Sequence, residues 1–403
     1  MIQPNFSTLS CARLLKANSK IRVECPFKDL SEVKKPISLT ANAFPIFKEC
    51  KGEKTTIKAK VIFTLVYLSE DGYKKATCEA DAIQEVALEN AVIDCFITDV
   101  KLITSNGFSG VCTLNFLSEG RGEESVDVLT GGENIIVKNK DVSIDIYNDY
   151  RQGRHTVVDE FSIDYTISEV LSYRAVAYLT SCNSSLGRII LEGEVVLIVK
   201  ALPFSENNDI VKERRVIPFR YELDDVEALQ EDRAYAVVDV TATNVKVFVD
   251  EAKEKSTVSV DVSLEFFGGT VRTQNFAVVE DAYLKFNESE LETTKIDLLT
   301  FNSARCVSEK VVCTGEKAVE GGRIISSIGE NVSIVSLKQT DGRVYLDGII
   351  NSDVVFKNTD NGIVSTPCES PFSIDFAVEG EVCGMRSVNW KDGLYCGSQA
   401  FCL

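Results

Sequence analysis

Apolar and polar residues alternate with a period of two along much of this chain. In the segment TVSVDVSLEFF every second residue from Val258 to Phe266 is apolar, and the residues between them are polar. The segment KAKVIFTLVYL alternates in the same way from Ala59 to Tyr67. Successive side chains of a strand point to opposite faces, so this period predicts half-buried β-strands. The best candidate helix, at 224–232, is short. The sequence therefore predicts an all-β protein.

Three segments share one pattern, in which a small residue near the start of a strand is followed by the strand and an acidic turn. The predicted strands are 57–68, 189–200 and 344–356. Aligning Ala59 with Gly193 gives a shift of 193 − 59 = 134 residues, and aligning Gly193 with Gly348 gives 348 − 193 = 155. A repeat of this length has the size of a whole domain and is too long for a solenoid unit.

Two further landmarks recur with nearly the same shifts. The dipeptide Pro-Phe recurs after 371 − 218 = 153 residues, and the motif Asp-x-Tyr after 281 − 145 = 136 residues. The residues concerned are Pro218, Phe219, Pro371 and Phe372 for the first landmark, and Asp145, Tyr147, Asp281 and Tyr283 for the second. We therefore predict three tandem β-sandwich-like domains, the third shorter and incomplete, at residues 1–148, 149–286 and 287–403.

Charge limits the partners that the chain can bind. Lys and Arg number 43 and Asp and Glu number 61, which gives a formal net charge of −18. Such a chain repels phosphate backbones and anionic membrane surfaces, so we expect neither nucleic acid nor membrane insertion. No run of about 18 apolar residues and no export signal is visible, and we expect a cytoplasmic protein.

The 13 cysteines are scattered and include no C-x-x-C pair. In a cytoplasmic protein we expect them to be reduced, and most of them to be buried as small apolar residues. Cys112 should face a core, because it shares the alternation of Leu114 and Phe116. Oxidation in an assembled state and a metal site are the alternatives.

The sequence contains no recognisable catalytic, metal-binding or phosphate-binding motif. The one histidine, His155, excludes a multi-histidine zinc site, and we expect it on the surface or in a linker. No phosphate-binding loop and no nucleophile elbow is present. Acidic turns such as Glu70-Asp71 do not have the spacing of a calcium loop and are typical of solvated turns. We therefore predict no catalytic, cofactor-binding or metal-binding residue, although a pair of carboxylates for hydrolysis stays open.

The recurring motifs resemble those of the SPOCS-domain family of clostridial and related spore-forming bacteria. Members of that family carry tandem copies and include a protein that binds the ATPase scaffolding the spore coat. The first unit departs from the pattern, since Ala59 replaces the glycine and 82–86 contains no Pro-Phe; the third lacks the Asp-x-Tyr. The matching residues are Gly193, Gly348, Pro218, Phe219, Pro371, Phe372, Asp145, Tyr147, Asp281 and Tyr283.

The resemblance implies a non-enzymatic structural or adaptor protein of sporulation that acts in spore coat assembly. Its partner would be a protein, such as a coat morphogenetic protein, in the mother-cell cytoplasm at the forespore surface. Self-association stays open, and no cofactor is implied. The alternatives are an exported cell-surface binding module and, more weakly, a carboxylate-dependent glycan hydrolase.

Each shared motif also has a structural interpretation, which the residues themselves favour over ligand contact. The glycine allows close backbone approach. The Pro-Phe starts an edge strand and inserts a ring into the core. The Asp-x-Tyr makes a capping side-chain hydrogen bond. A further hypothesis concerns the third unit, which lacks a counterpart of 268–283 and would complete itself with a strand from a partner or a second copy.

Overall fold

A computed structural model describes most of the chain as antiparallel β-structure. The residues described are 3–51, 54–87, 92–105, 107–204, 210–250, 254–285, 323–358, 360, 362–377, 395–396 and 401–402. They form strands, turns and connecting segments and contain no helix, which confirms the all-β prediction. Within these ranges, no helix is long and apolar enough to cross a membrane.

The first six strands form two three-stranded sheets around one core, and we call them the first unit. One sheet has the order β2-β3-β4, with β2 at Lys35–Lys51, β3 at Lys54–Ser69 and β4 at Gly72–Val86. The other has the order β1-β6-β5, with β1 at Gln3–Pro26, β5 at Val92–Ile103 and β6 at Ser109–Glu133. Phe63 of β3 and Phe116 of β6 are fully buried in the shared core. The sheet edges meet on both sides, where β4 contacts β1 and β2 contacts β5.

The next seven strands form a three-stranded and a four-stranded sheet around one core, and we call them the second unit. One sheet has the order β11-β10-β9, with β9 at Ile167–Ser185, β10 at Arg188–Pro203 and β11 at Val211–Asp224. The other contains β7 at Ile135–Tyr147, β8 at Arg151–Ile163, β12 at Arg233–Asp250 and β13 at Lys255–Leu284. The long strand β13 pairs with β12 along one edge and with β8 and then β7 along the other. Here too the sheet edges meet, since β11 contacts β8 and β9 contacts β12.

A third sheet of the same order follows. It consists of β14 at Arg323–Thr340, β15 at Arg343–Lys357 and β16 at Ile363–Ala377, with β15 in the middle. Two short strands, β17 at Tyr395–Cys396 and β18 at Phe401–Cys402, pair with each other. The start of the predicted third domain, residues 287–322, and most of its predicted end, residues 378–403, lie outside the described residues.

The three strands predicted from the repeated pattern are the middle strands of these three sheets. Strand β3 contains 57–68, β10 contains 189–200 and β15 contains 344–356. In β3, apolar side chains such as Val61, Phe63 and Leu65 are fully buried on one face, as the alternation predicts.

The first strand of each sheet carries two β-bulges at matching places. The extra residue of one bulge lies beside the small residue of the middle strand; it is Ile46 beside Ala59, Thr180 beside Gly193 and Val335 beside Gly348. The other bulge lies seven residues further along each middle strand, since 66 − 59, 200 − 193 and 355 − 348 are all 7; its extra residue is Ile37 opposite Val66, Leu171 opposite Lys200 and Ile325 opposite Val355. Bulges bend a strand locally, so the three sheets are bent at the same two places.

Three features differ from the expectations. The segment 224–232 forms turns, so the helix prediction is wrong. Strand β7, which precedes the predicted boundary at 148, pairs with β13 and follows β6 after a turn at Asn134, whose φ is +65°. His155 lies in β8 and not in a linker, and its half-buried ring contacts that of Tyr221 with the centroids 5.7 Å apart.

Candidate functional site

The glycine and the Pro-Phe of the second unit lie side by side on neighbouring strands. Gly193 of β10 pairs with Phe219 of β11, and Pro218 pairs with Glu194. A Cβ atom on Gly193 would lie against the carbonyl oxygen of Tyr178 and 2.5 Å from Cζ of Phe219. The ring of Phe219 therefore occupies the space that a side chain at 193 would need, and it packs in the core with its centroid 5.7 Å from that of Phe266.

The third sheet places the same motif in the same register. Gly348 of β15 pairs with Phe372 of β16, and Pro371 pairs with Ile349. In the first unit the corresponding pair is Ala59 with Ala82, and both residues are buried. Two small side chains thus take the place of a glycine and an aromatic ring.

The outer side of this motif in the second unit forms a shallow depression of about 420 Å³. Its lining residues are Thr180, Glu192, Gly193, Glu194, Pro218, Phe219 and Arg220. Three residues predicted from the sequence therefore lie together here, beside the bulge at Thr180. We call this surface the bulge depression.

The carboxylates of the bulge depression are already engaged by neighbouring side chains. Glu192 accepts a hydrogen bond from Ser181 Oγ at 3.1 Å, and its Oε1 lies 3.6 Å from Arg220. The hydroxyl of Tyr178 donates to Glu194. The bulge depression therefore offers charged and hydrogen-bonding groups at an open surface, which suits contact with another macromolecule better than enclosure of a small substrate.

The two Asp-x-Tyr motifs lie on strands that pair with each other, Asp145 in β7 and Asp281 in β13. Asp145 of β7 is buried and accepts hydrogen bonds from Thr273 Oγ1, at 2.7 Å, and from Arg233. Tyr147 packs edge-on against the ring of Tyr235. This motif holds β7 against β13 and β12.

The second Asp-x-Tyr lies in β13, and Asp281 forms hydrogen bonds with residues 282 and 283. Asp281 accepts hydrogen bonds from the Tyr283 hydroxyl and, at 2.9 Å, from the backbone amide of Ala282. The hydrogen bond to Asp281 raises the pKa of Tyr283, whose side chain is exposed. The position suits a surface-stabilising role.

The three middle-strand sheets meet at one apolar cluster that the sequence analysis missed, and we call it the three-sheet junction. Two of its members, Ile37 and Leu171, are extra residues of the second set of bulges, and a third, Ile325, packs against it. The buried members are Ile37, Val66, Tyr73, Leu171, Leu202, Ile210, Ile328 and Val355.

Buried charges connect the second and third sheets at this junction. The side chains of Lys200 and Glu330 form an ion pair and are 5% and 7% exposed. Lys200 Nζ also donates to the carbonyl oxygen of Ser327 at 2.6 Å, and Ser327 Oγ donates to Glu330 at 2.8 Å. Burial lowers the pKa of Arg174 to about 10, and the negative charge of Glu330 opposes that shift.

Hydrogen bonds connect the first sheet to the other two. Ser38 Oγ donates to Asp353 Oδ2 at 2.7 Å, and Ser365 Oγ donates to the carbonyl oxygen of Ile37 at 2.8 Å. Lys75 Nζ donates to the carbonyl oxygen of Val170 at 2.5 Å. Burial raises the pKa of Asp353, and the charge of Glu330 adds to that rise.

One pattern in the sequence indicates this junction. In β10 every residue from 195 to 202 is buried, so the strand is covered on both faces. The corresponding letters, VVLIVKAL, form a continuous apolar run interrupted only by Lys200. Such a run indicates a strand buried on both sides, and a lysine within it indicates a buried partner.

The described cysteines are free, and most are shielded from solvent. Cys112 is 1% exposed in the core of the first unit, as predicted. Burial raises the pKa of Cys112 to about 11 and that of Cys182 to about 12. Across the described ranges, no three His, Cys, Asp or Glu side chains are grouped so that they could hold a metal ion.

The fold defines an all-β protein of antiparallel sheets with one candidate surface, the bulge depression, and one buried contact region, the three-sheet junction. Comparison of the chain with known protein families and with curated protein sequences finds no match.

Proposed function

We propose that this chain is a non-enzymatic structural or adaptor protein built from three tandem β-sandwich-like copies. It acts through protein–protein contacts in spore coat assembly, at the forespore surface in the mother-cell cytoplasm, as the resemblance to SPOCS-domain proteins implies. Its partner is a protein, such as a coat morphogenetic protein.

The matching bulges are the observation that carries the tandem-copy part of this proposal. A bulge adds one residue to one strand, and bulges are retained within families because they set the local bend of the sheet. Two bulges with the same separation in three sheets are difficult to explain by chance. The edge contacts add support, since the strands of the first and second units meet in the same order around their cores.

The distribution of charge supports a role in assembly. Lys200 and Glu330 are buried at the three-sheet junction, where they contact each other and neighbouring backbone and not solvent. Charges placed there hold sheets together and are poorly placed to act on a substrate. A chain whose sheets are held together presents several surfaces in a fixed arrangement, and a partner that engages two of them gains from the high effective concentration of the second.

The experiment is a pull-down from sporulating cells with the full-length chain as bait, read by mass spectrometry against an untagged lysate. The expected result is enrichment of one or a few sporulation proteins, together with expression of the chain restricted to sporulation. Enrichment of no protein above the control, or expression throughout vegetative growth alone, would overturn the proposal.

One observation favours the glycan hydrolase as a second candidate. Glu192 and Glu194 both line the bulge depression, and retaining and inverting hydrolases use two carboxylates. Incubating the full chain and the Glu192→Gln and Glu194→Gln variants with peptidoglycan fragments tests this. Release of reducing sugar by the natural chain and by neither variant would favour the hydrolase.

A further inference from the structure

Two cysteines of the first unit lie at the seam where its two sheets meet. Cys25 is near the end of β1 and pairs with Gly110 of β6, whereas Cys78 lies in the middle of β4 and pairs with Phe63 of β3. The ring of Phe63 packs directly onto Gly110, where an added Cβ would lie 2.6 Å from Cδ1. The two strand pairs are thus stacked face to face, and this stacking brings the two cysteines together at the edge.

Each thiol reaches the backbone of the other strand. Cys25 Sγ donates to the carbonyl oxygen of Glu79 at 3.3 Å, and Cys78 Sγ donates to the carbonyl oxygen of Cys25 at 3.5 Å. A disulfide requires Cα atoms about 4.4–6.8 Å apart with the Cβ atoms directed towards each other. Both side chains cross the seam, and each sulfur lies within 3.5 Å of a backbone oxygen of the other strand, which is the close approach that a disulfide between them needs.

The two cysteines differ in solvent exposure, and the difference suits stepwise formation of a disulfide. Cys25 is buried in the core of the first unit, whereas Cys78 is only partly buried. An oxidant can therefore reach Cys78 from solvent, and Cys25 is then the thiol in place to resolve the product. Burial, followed by the hydrogen bond and charge of Cys25, raises the pKa of Cys78, so little Cys78 thiolate forms at neutral pH and its attack on a disulfide is slow there and faster at higher pH.

We propose that Cys25 and Cys78 are a covalent cross-linking site, at which a small-molecule disulfide such as oxidised glutathione closes the β1–β4 seam with an intramolecular disulfide. The Cys78 thiolate attacks one sulfur of oxidised glutathione, which breaks its S–S bond and releases one glutathione. The Cys25 thiolate then attacks the Cys78 sulfur of the mixed disulfide and releases the second. Two protein thiols are oxidised, one glutathione disulfide is reduced to two thiols, and the two protons pass to the released glutathiones.

A disulfide at this seam would connect the two sheets of the first unit. The strands β1 and β4 belong to different sheets, and the cross-link joins residues 53 apart in the sequence. A covalent bond there keeps the two sheets from separating and restricts the unfolded chain. The oxidised first unit should therefore resist unfolding and proteolysis better than the reduced one.

The test is to map the bond in the full-length folded protein. The protein is incubated with oxidised glutathione, its remaining thiols are alkylated, and it is digested with trypsin and a Glu-specific protease, which together separate Cys78 from Cys95. The expected product is residues 25–28 joined to residues 76–79. It should exceed any other linked pair by about tenfold in the folded protein and lose that lead in urea, because only the fold holds these thiols together.

Variants provide the control. Cys78→Ala should eliminate the linked peptide and leave Cys25 alkylated, whereas Cys182→Ala, in the second unit, should leave the yield unchanged. Circular dichroism melts of each variant show whether it folds, and Cys25→Ser provides an independent second variant. Absence of the 25–78 link from the folded natural chain, or equal yields with and without urea, would overturn the proposal.

Discussion

Gly193 and Phe219 show how one position can be occupied in two ways. In the second unit a missing side chain at 193 makes room for the ring of Phe219. In the first unit Ala59 and Ala82 pair at the corresponding place. The space between the strands is shared, so the residue on one strand sets the size allowed on the other.

This sharing predicts non-additive effects of substitution. Gly193→Ala should cost about 1–3 kcal/mol of the free energy of unfolding, because its Cβ overlaps the ring. Phe219→Ala should cost about 3–5 kcal/mol, because it leaves a cavity. The double variant, which copies the Ala59/Ala82 pair, should cost at least about 1 kcal/mol less than the sum. Urea unfolding of the three variants measures this coupling.

The control for this cycle is the exposed neighbour Glu192. Glu192→Ala should change the free energy of unfolding by no more than about 0.5 kcal/mol, because it removes surface contacts only. Strict additivity of the Gly193 and Phe219 variants would show that the glycine is not required by the ring.

The contribution of Asp353 to the free energy of unfolding should decrease as the pH rises. Its pKa is raised in the folded protein by burial, whereas in the unfolded chain it is about 3.9. The folded state therefore binds more protons between the two values, and the contribution of this group to stability declines as the pH increases through that window. Asp353→Asn keeps an oxygen acceptor for Ser38 and removes the charge, so its advantage over the natural chain should grow as the pH rises above about 4.

The matched control is Asp347, a carboxylate whose pKa is shifted in the opposite direction. Hydrogen bonds from Ser336 and Ser373 lower the pKa of Asp347, which lies on the same strand. Its stabilising contribution is therefore present above the unfolded pKa and is lost as the pH falls, so Asp347→Asn should show the reverse trend. Unfolding in urea from about pH 2 to about pH 7 measures both, because the Asp347 contribution changes below the unfolded pKa and the Asp353 contribution changes above it. Parallel curves for the two variants would contradict the assignment.

At the scale of elements, alternation predicted the strands but not their partners. The strands β3 and β13 show the expected alternating burial because a period of two directly encodes one buried face. Strand β7 contains the predicted end of a domain, yet it pairs with β13, more than a hundred residues away. A local motif such as Asp145-Ile146-Tyr147 carries no information on which distant strand will be adjacent.

The three-sheet junction was missed for a related reason. Bulges arise from the pairing of two strands, so no single segment shows them. The predicted strand 189–200 ends at Lys200. The third sheet, which covers this residue, lies far along the chain, so no nearby feature of the sequence identifies the residues that cover Lys200. The continuous apolar run of β10 indicated burial on both faces, but not that Glu330 of β14 would be the partner of Lys200.

Breaking the buried ion pair of the junction should be costly. Glu330→Gln keeps the shape and leaves the Lys200 ammonium with the Ser327 carbonyl but without the carboxylate charge. Because the substitution removes the carboxylate from a buried ion pair, we expect a loss of about 3–5 kcal/mol in the free energy of unfolding.

The exposed pair of Lys60 and Glu79, 2.8 Å apart in the first unit, provides the comparison. Glu79→Gln should have a far smaller effect, since solvent already screens that pair. Equal effects of the two substitutions, read from urea midpoints, would mean that the junction charges contribute no more than surface charges.

At the scale of the whole molecule, the edge strands of the two sheets lie close to each other in the first and second units. A strand from another chain would have to enter between them to pair with these edges. Strand addition at those seams would have to displace existing contacts. The hypothesis that the third unit completes itself with a borrowed strand concerns residues outside those described.

Through the three-sheet junction, the third sheet stabilises the middle-strand sheets of the first and second units. Val66 and Leu171 are at most 1% exposed, and they share one cluster with Ile328 and Val355 of the third sheet. Deleting residues 286–403 would bare this apolar surface and separate Lys200 from Glu330. We therefore expect the truncated chain to unfold at lower urea concentration than the full chain and to self-associate, because exposed apolar patches promote association.

Deleting residues 378–403, which leaves β14 to β16 in place, is the matched control and should preserve the stability of the full chain. Size-exclusion chromatography with light scattering measures the mass of each species, and hydrogen exchange reports protection of β9 and β10. A truncated chain that is less associated than the full chain, with unchanged protection of β9, would contradict the supporting role of the third sheet. That outcome would favour the borrowed-strand hypothesis, because residues 286–403 would then supply the contact between copies.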